Sequence, residues 1–322
     1  MRLVAVDIGG THARFAIAQA VNGKVAALDE AVTLKTADHA SFQLAWQEFE
    51  RLSGGTLPTA AAIAVAGPVG DDIIRFTNNP WILRPALIPE KLGADRYVVV
   101  NDFAAVAHAV AQADDAHFIH VCGPETALPE TGAISVVGPG TGLGVALLLR
   151  HDHGYHVQAT EGGHIDFAPL DQIEDQILVR LRNRHRRVSV ERVVAGPGIV
   201  DIYETLAGIE DRAALHRDDK AIWAAGMAGG DPLAAAAVDR FCQSLGSVAG
   251  DLALAHGAKA LVLAGGLGFR IRDNLVRSGF AERFRAKGRF DALMAAMPVK
   301  LITHPQPGLF GAAAAFAQTY RD

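Results

Sequence analysis

The sequence predicts an internally duplicated α/β protein of two domains. Three observations carry that prediction. Leu3 to Ala18 (LVAVDIGGTHARFAIA) reads as a buried strand, a glycine turn and a second strand. Ala133 to Leu149 (AISVVGPGTGLGVALLL) repeats the layout, with Gly140-Thr141 standing where Gly10-Thr11 stood. Tyr97 to Val100 (YVVV) is a further buried strand, and it delivers Asn101-Asp102 at its carboxyl end, where open α/β sheets collect ligands.

The first turn sets the chemistry. Gly9 and Gly10 let backbone N–H groups approach an anion with no Cβ in the way, and Thr11 adds a hydroxyl donor. Asp7 ends the strand, placed to hold Mg²⁺ directly or through water. Alone, the same residues also describe a plain hairpin with a Gly-Gly turn. The second copy favours a phosphate chain gripped from both sides, in a cleft between the domains. No G-x-x-x-x-G-K-[ST] loop occurs, and both turns lead into strands, so Walker-A and Rossmann loops are poor rivals.

Along the chain, Val25 to Leu34 supplies a third strand. His39 to Leu52 is a helix, with Phe42, Ala45, Trp46, Phe49 and Leu52 at helical spacing. Ala60 to Ala66 is a strand, and Thr77-Asn78-Asn79-Pro80-Trp81 a polar loop that walls a substrate site or merely turns. A helix follows from Phe103 to Ala113. Asp102 at its start is either a cap or a catalytic carboxylate, and Asn101 is itself a good cap. After the second glycine hairpin, His151-Asp152-His153-Gly154 is a turn, and Tyr155 to Thr160 continues the sheet. Glu161 and His164 flank two glycines that let both side chains turn toward one small polar ligand.

Asp171 caps a helix running to about Arg187, with Glu174 as its capping-box partner, and the basic run at its end (RLRNRHRR) reads as solvated. Glu191 precedes Val193-Val194-Ala195-Gly196-Pro197-Gly198, and a helix resumes near Ile199. A long Ala-rich helix lies between Asp231-Pro232 and Gly257. Lys259 to Ala264 is a strand ending in Gly265-Gly266, a bend that accepts a flat adenine ring or is an ordinary strand-to-helix turn. Val299 to Thr303 is the last strand and Leu309 to Thr319 the last helix. The expected domains are residues 1–112 with 300–322, and residues 113–299.

Bulk properties exclude several classes. The 322 residues, 50% hydrophobic and 20% charged, suit a globular pair of domains, and a net charge of −5 argues against general nucleic-acid binding. Two cysteines far apart fit a reducing cytoplasm and exclude a Cys-rich zinc cluster. Core-like sequence begins directly after Arg2, so no leader is expected, and the GPGTGLG centre of the uncharged stretch at 131–149 excludes a membrane span.

Taken together, DIGGT at 7–11, NDF at 101–103, GPGTGLG at 138–144, EGGHIDFAP at 161–169, ERV and GPG within 191–198, AGG at 264–266 and PGLFGA at 307–312 resemble bacterial glucokinases of the enteric type. Each motif alone is weak, but the ordered set covers nearly the whole chain. The resemblance implies a duplicated actin-like ATPase (ribonuclease H-like) fold and MgATP-dependent phosphorylation of D-glucose at O6, by a cytoplasmic homodimer. By the same resemblance Asp102 is the base, and Asn101, Glu161, His164 and Glu191 hold sugar hydroxyls. Val6, Asp7, Ile8, Gly9, Gly10 and Thr11 bind ATP, Gly140 and Thr141 contact its phosphates, and Gly265 and Gly266 lie near the adenosine. One residue departs from the group: His12 stands where Asn usually follows the GGT threonine. Facing the nucleotide, it would alter phosphate affinity or make it pH-dependent. The cysteine-rich zinc motif of ROK kinases is missing.

Three rivals share the fold. A hexose kinase of other or broader specificity is separated only by assay. A sugar-sensing regulator carries a helix-turn-helix ahead of the first strand, whereas here that strand starts at Leu3. An actin- or Hsp70-like ATPase has no need of Glu161, His164 and Glu191.

Overall fold

The computed structural model describes residues 1–76 and 79–321. Thr77 and Asn78, within the predicted polar loop, lie outside the described residues. The chain divides into one unit of Met1–Asp114 with His304–Asp322 and a second of Asp115–Thr303.

In the first unit, β1 (Arg2–Ile8), β2 (His12–Val21), β3 (Lys24–Leu28), β4 (Val32–Lys35) and β5 (Ala60–Val65) build most of the sheet. Two short strands, β6 (Ile74–Arg75) and β7 (Ile82–Leu83), pair only with each other, and β8 (Arg96–Asn101) completes the main sheet. The order is β3-β2-β1-β5-β8, with β4 also on β2. β1, β5 and β8 run parallel, so their carboxyl ends share one edge. The predicted strand 25–34 is two strands. β3 pairs with the far end of β2 (Ala18 to Val21) and β4 with its near end (His12 to Phe15), so residues 29–31 carry the chain from one to the other.

Strand alternation sorts the side chains of this sheet. Val4, Val6, Ile8, Ala61, Ile63 and Val65 face a core with Phe42, Trp46 and Phe49 of the helix Phe42–Leu52. Leu3, Ala5, Ala62 and Ala64 face the other way, onto Leu309, Ala312, Ala313 and Phe316 of the closing helix Pro307–Thr319. The alanines let that helix approach closely.

The second unit repeats the plan. Its strands are β9 (Phe118–Cys122), β10 (Gly132–Pro139), β11 (Leu143–His151), β12 (Gly154–Thr160), β13 (Ala258–Leu263) and β14 (Val299–Ile302). Their order is β12-β11-β10-β13-β14-β9. β10, β13 and β14 run parallel, and β11 and β12 antiparallel, as their counterparts β1, β5, β8, β2 and β3 do. Duplication is thus a matter of topology and not only of two similar turns. It also corrects one expectation. The last strand does not complete the first domain, because β14 pairs with β13 from Leu261↔Val299 onward, as the third parallel strand of the second sheet. Only the closing helix joins the first unit.

The core of the second unit gathers around the buried helix Pro232–Ala255, started by Asp231, whose side chain accepts from Leu233 N–H. No single helix among the described residues is long and apolar enough to cross a membrane. The helix capped by Asp171 ends at Arg182, earlier than expected. Three arginines of the basic run at its end are ion-paired as well as solvated: Arg180 and Arg184 meet Asp201, Arg180 also meets Glu204, and Arg187 meets Asp166 at 2.6 Å.

His256, at the end of the long helix, lies 2.6 Å from Ser135 Oγ, and burial pushes its imidazole below its ordinary value of 6.5. Protonation is therefore harder in the folded chain than in the unfolded one. The stability that neutral His256 contributes is complete above 6.5 and is lost as the pH falls through the depressed folded value. Urea unfolding midpoints compared at pH 7 and pH 5 should show a smaller acid loss in His256→Gln than in the parent chain. Equal losses would contradict this.

Candidate functional site

In the first unit the expected site residues lie on the shared carboxyl edge of β1, β5 and β8. The turn between β1 and β2 is held in place by its own carbonyls. Gly9 N–H donates to the His12 carbonyl at 2.9 Å, and Thr36 N–H to the Thr11 carbonyl at 3.1 Å. The Thr36 hydroxyl donates to the Gly10 carbonyl at 3.0 Å, and Asn79 Nδ2 to that of Gly9 at 3.4 Å. The N–H groups of Gly10 and Thr11 donate to no described residue. Such a turn, with carbonyls tied back and amides outward, is an anion cradle. His12 stands at the start of β2, its Nδ1 3.1 Å from Thr11 Oγ1.

Val6 and Ile8 are core residues of β1, and Asp7 between them points to the opposite face. Its carboxylate pairs with Arg14 at 3.3 Å, its cross-strand partner. Burial pushes the Asp7 carboxyl above its ordinary value, against the pull of Arg14. Gly308 leaves the room for it, since a Cβ there would lie 2.7 Å from Asp7 Oδ2. Among the described residues no group of three or more His, Cys, Asp or Glu side chains forms a metal cage. Mg²⁺ needs none, because it keeps water and phosphate oxygens and takes one or two carboxylates. Asp7, a carboxyl at the end of β1 with Arg14 beside it, fits that use.

At the end of β8, Asn101 is the helix cap. Its Oδ1 accepts from Phe103 N–H at 2.9 Å and Ala104 N–H at 3.1 Å, while its Nδ2 donates to the Gly67 carbonyl at 3.1 Å. Asp102 begins the helix Asp102–Gln112, half-buried, with Oδ1 accepting from Phe103 N–H at 2.9 Å. Capping therefore falls to Asn101, and Asp102 is placed at the mouth of the edge.

In the second unit the counterpart turn joins β10 to β11. Gly140 N–H donates to the Gly142 carbonyl at 2.8 Å, and Gly196 N–H to the Gly140 carbonyl at 2.7 Å. Glu191, opening the short helix Glu191–Val194, accepts Leu143 N–H on Oε2 at 2.9 Å. A Cβ on Gly142 would lie 2.5 Å from that oxygen, so this glycine makes way for the carboxylate. Leu143 also links the next motif, since a Cβ on Gly163 would lie 2.4 Å from its carbonyl oxygen. Glu161 and His164 flank that glycine pair, Oε2 to Nε2 3.7 Å apart, with both side chains exposed. Gly140, Thr141, Glu161, His164 and Glu191 thus gather around the start of β11. Thr141, Glu191 and Arg192 also line a cavity of about 300 Å³. The first unit's cavity of about 350 Å³, along Phe42, Leu83 and Ile88, holds none of the predicted site residues.

At the end of β13, Gly265 has φ +86° and sits 3.1 Å, Cβ to oxygen, from the Pro139 carbonyl. It starts the helix Gly265–Arg270, and a Cβ on Gly266 would meet nothing within 4 Å. The bend is a strand-to-helix turn that leaves bare backbone open beside the β10 turn.

Residues 3–319 match the glucokinase family model. The chain belongs to the glucokinase family. The glucokinase of Zymomonas mobilis subsp. mobilis is 58% identical over 322 residues, covering 100% of this chain and 99% of that protein. A crystal structure of glucokinase from an Antarctic psychrotroph superposes with TM-score 0.87 at 34% identity, covering 98% of both chains. A ROK-family glucokinase from Streptomyces griseus, solved in complex with glucose and AMPPNP, shares the fold at TM-score 0.63 and 19% identity, covering 98% of this chain and 99% of that one. The architecture is the two-domain actin-like ATPase fold of these sugar kinases. As a member of the glucokinase family this chain is a sugar kinase, a phosphotransferase with an alcohol group as acceptor. Nothing among these similarities favours the regulator or the polymerising ATPase.

Several site residues are not evident in the motifs. Arg14 was within reach, because a turn at 9–11 sets it opposite Asp7. Thr36, Asn79 and Gly308 act through distant packing that carries no local signature.

Proposed function

We propose that this glucokinase family member transfers the γ-phosphoryl group of ATP to O6 of D-glucose, with Asp102 as the general base. The observation that carries the reading is the repeated turn. Two glycine turns occupy equivalent places in two sheets of one topology, each tied back by its carbonyls, and Asp102 lies on the same sheet edge as the first. Phosphoryl transfer asks a protein mainly for positioning and charge stabilisation. The amides of Gly10, Thr11 and Thr141 would hold phosphate oxygens, with Gly140 letting the second turn approach them closely and bare backbone at Gly265 and Gly266 for the adenosine. Asp7 would hold Mg²⁺, directly or through water, and the ion would supply neutralisation of phosphate charge.

Asp102 would accept the O6 proton as the phosphoryl group moves. Asn101, Glu161, His164 and Glu191 offer carboxylates, an amide and an imidazole. Sugar hydroxyls donate and accept at once, so a mixed set of partners satisfies them. A site that pairs each hydroxyl rejects analogues lacking one, because its own polar groups would be left unpaired. The streptomycete structure, with its glucose and AMPPNP, supports this choice of substrates. We also propose a cytoplasmic homodimer. Two free cysteines, both pushed up to about 12 by burial, suit a reducing compartment, and light scattering reports the mass.

A coupled ADP-release assay with glucose, mannose and fructose tests the substrate. Turnover should be fastest with glucose at low concentration and should need Mg²⁺. Equal kcat/KM for all three hexoses would point to the broader hexose kinase.

A further inference from the structure

We infer that Thr36 is a positioning residue for the nucleotide's phosphates. The inference rests on the proposed phosphate-holding role of the first glycine turn. Thr36 follows β4, whose pairing of Lys35 with His12 brings the chain beside Gly10 and Thr11. Its side chain is buried at the start of the 3-10 turn Thr36–Asp38, with the residue only 4% exposed, whereas threonine is mostly an exposed residue. Both its donors point at the turn. The hydroxyl takes the Gly10 carbonyl at 3.0 Å, and the N–H takes the Thr11 carbonyl at 3.1 Å.

A peptide unit's carbonyl and the following N–H point in opposite directions. Holding the Gly10 carbonyl inward therefore aims Thr11 N–H outward. Holding the Thr11 carbonyl also fixes the residue whose hydroxyl faces His12 Nδ1 at 3.1 Å. A glycine pair left to itself samples many conformations, and an anion that selects one of them pays an entropic cost. Thr36 removes that cost in advance. It is buried and bonded to the turn itself, so its removal should appear in nucleotide affinity and not in sugar affinity.

Thr36→Val keeps the shape and removes one donor, and Thr36→Ser keeps the donor. Steady-state kinetics and thermal unfolding of both variants, beside Thr11→Val, test the inference. Thr36→Val should raise KM for MgATP about tenfold, the size of one lost hydrogen bond. KM for glucose should stay at the parent value, the unfolding temperature should fall by no more than a few degrees, as one lost hydrogen bond allows, and Thr36→Ser should restore KM for MgATP. If Thr11→Val raises that KM and Thr36→Val does not, the positioning role is overturned while the nucleotide reading stands. If neither variant raises it, both fall. If Thr36→Val raises glucose KM as much as nucleotide KM, Thr36 serves only the fold and the inference is overturned.

Discussion

Asp102→Asn is expected to fold and bind glucose as the parent chain does, and to lose about 10²–10⁴-fold in kcat. The substitution keeps the size of the side chain and its ability to accept Phe103 N–H. It also leaves the Asn101 cap in place, whose Oδ1 already takes the Phe103 and Ala104 amides. What disappears is the only change of interest, a carboxylate able to accept a proton. Single-turnover kinetics and calorimetric titration with glucose separate the two effects. Near-normal kcat would remove the base assignment, whereas lost glucose affinity would make Asp102 a binding group.

The second large effect is on stability. In Gly311→Ala the new Cβ would lie 1.7 Å from the Ala105 carbonyl oxygen and 2.4 Å from its carbon. Both belong to the helix Asp102–Gln112, against which the closing helix packs. The obstacle is backbone, which cannot rotate aside as a side chain can. The two helices must separate, and the alanine-lined core between sheet and closing helix must loosen with them. Overpacking costs about 1–3 kcal/mol and occasionally more, and an obstacle of backbone puts this variant at the upper end, about 3 kcal/mol. Asp102 begins the helix that is displaced, so kcat should fall too. Urea unfolding shows the loss, with Gly208→Ala as control, because a Cβ there meets nothing within 4 Å. Equal midpoints for the two variants would contradict the packing described.

The parts legible in the sequence are those set by neighbours in the chain. DIGGT and GPGTG are strand-turn-strand units whose glycines and flanking apolar runs suffice to define them. Asn101 as a cap follows from residue type and its place before an Ala-rich helix. The Asp171 cap, with its side chain accepting Glu174 N–H at 3.0 Å, is equally local. What failed to show depends on partners far along the chain. Val299 to Ile302 reads as a strand for either sheet, and only its pairing with β13 decides. Phe118–Cys122 is a short strand with histidine at its centre, and it exists because β14 lies beside it. Thr36 looks like any polar residue after a strand until the register of β4 on β2 is known. Gly308 reads as a helix start, and its use as space for Asp7 belongs to tertiary packing.

The account stands on two matching glycine turns that hold phosphate while Asp102 takes the sugar's proton. A crystal structure with glucose and a non-hydrolysable ATP analogue tests that most directly. The expected result is phosphoryl oxygens on the amides of Gly10, Thr11 and Thr141, in contact with the turn at Gly140, and O6 of glucose within about 2.6–3.2 Å of an Asp102 carboxylate oxygen. Glucose bound away from Asp102, or phosphates that meet neither turn, would contradict it.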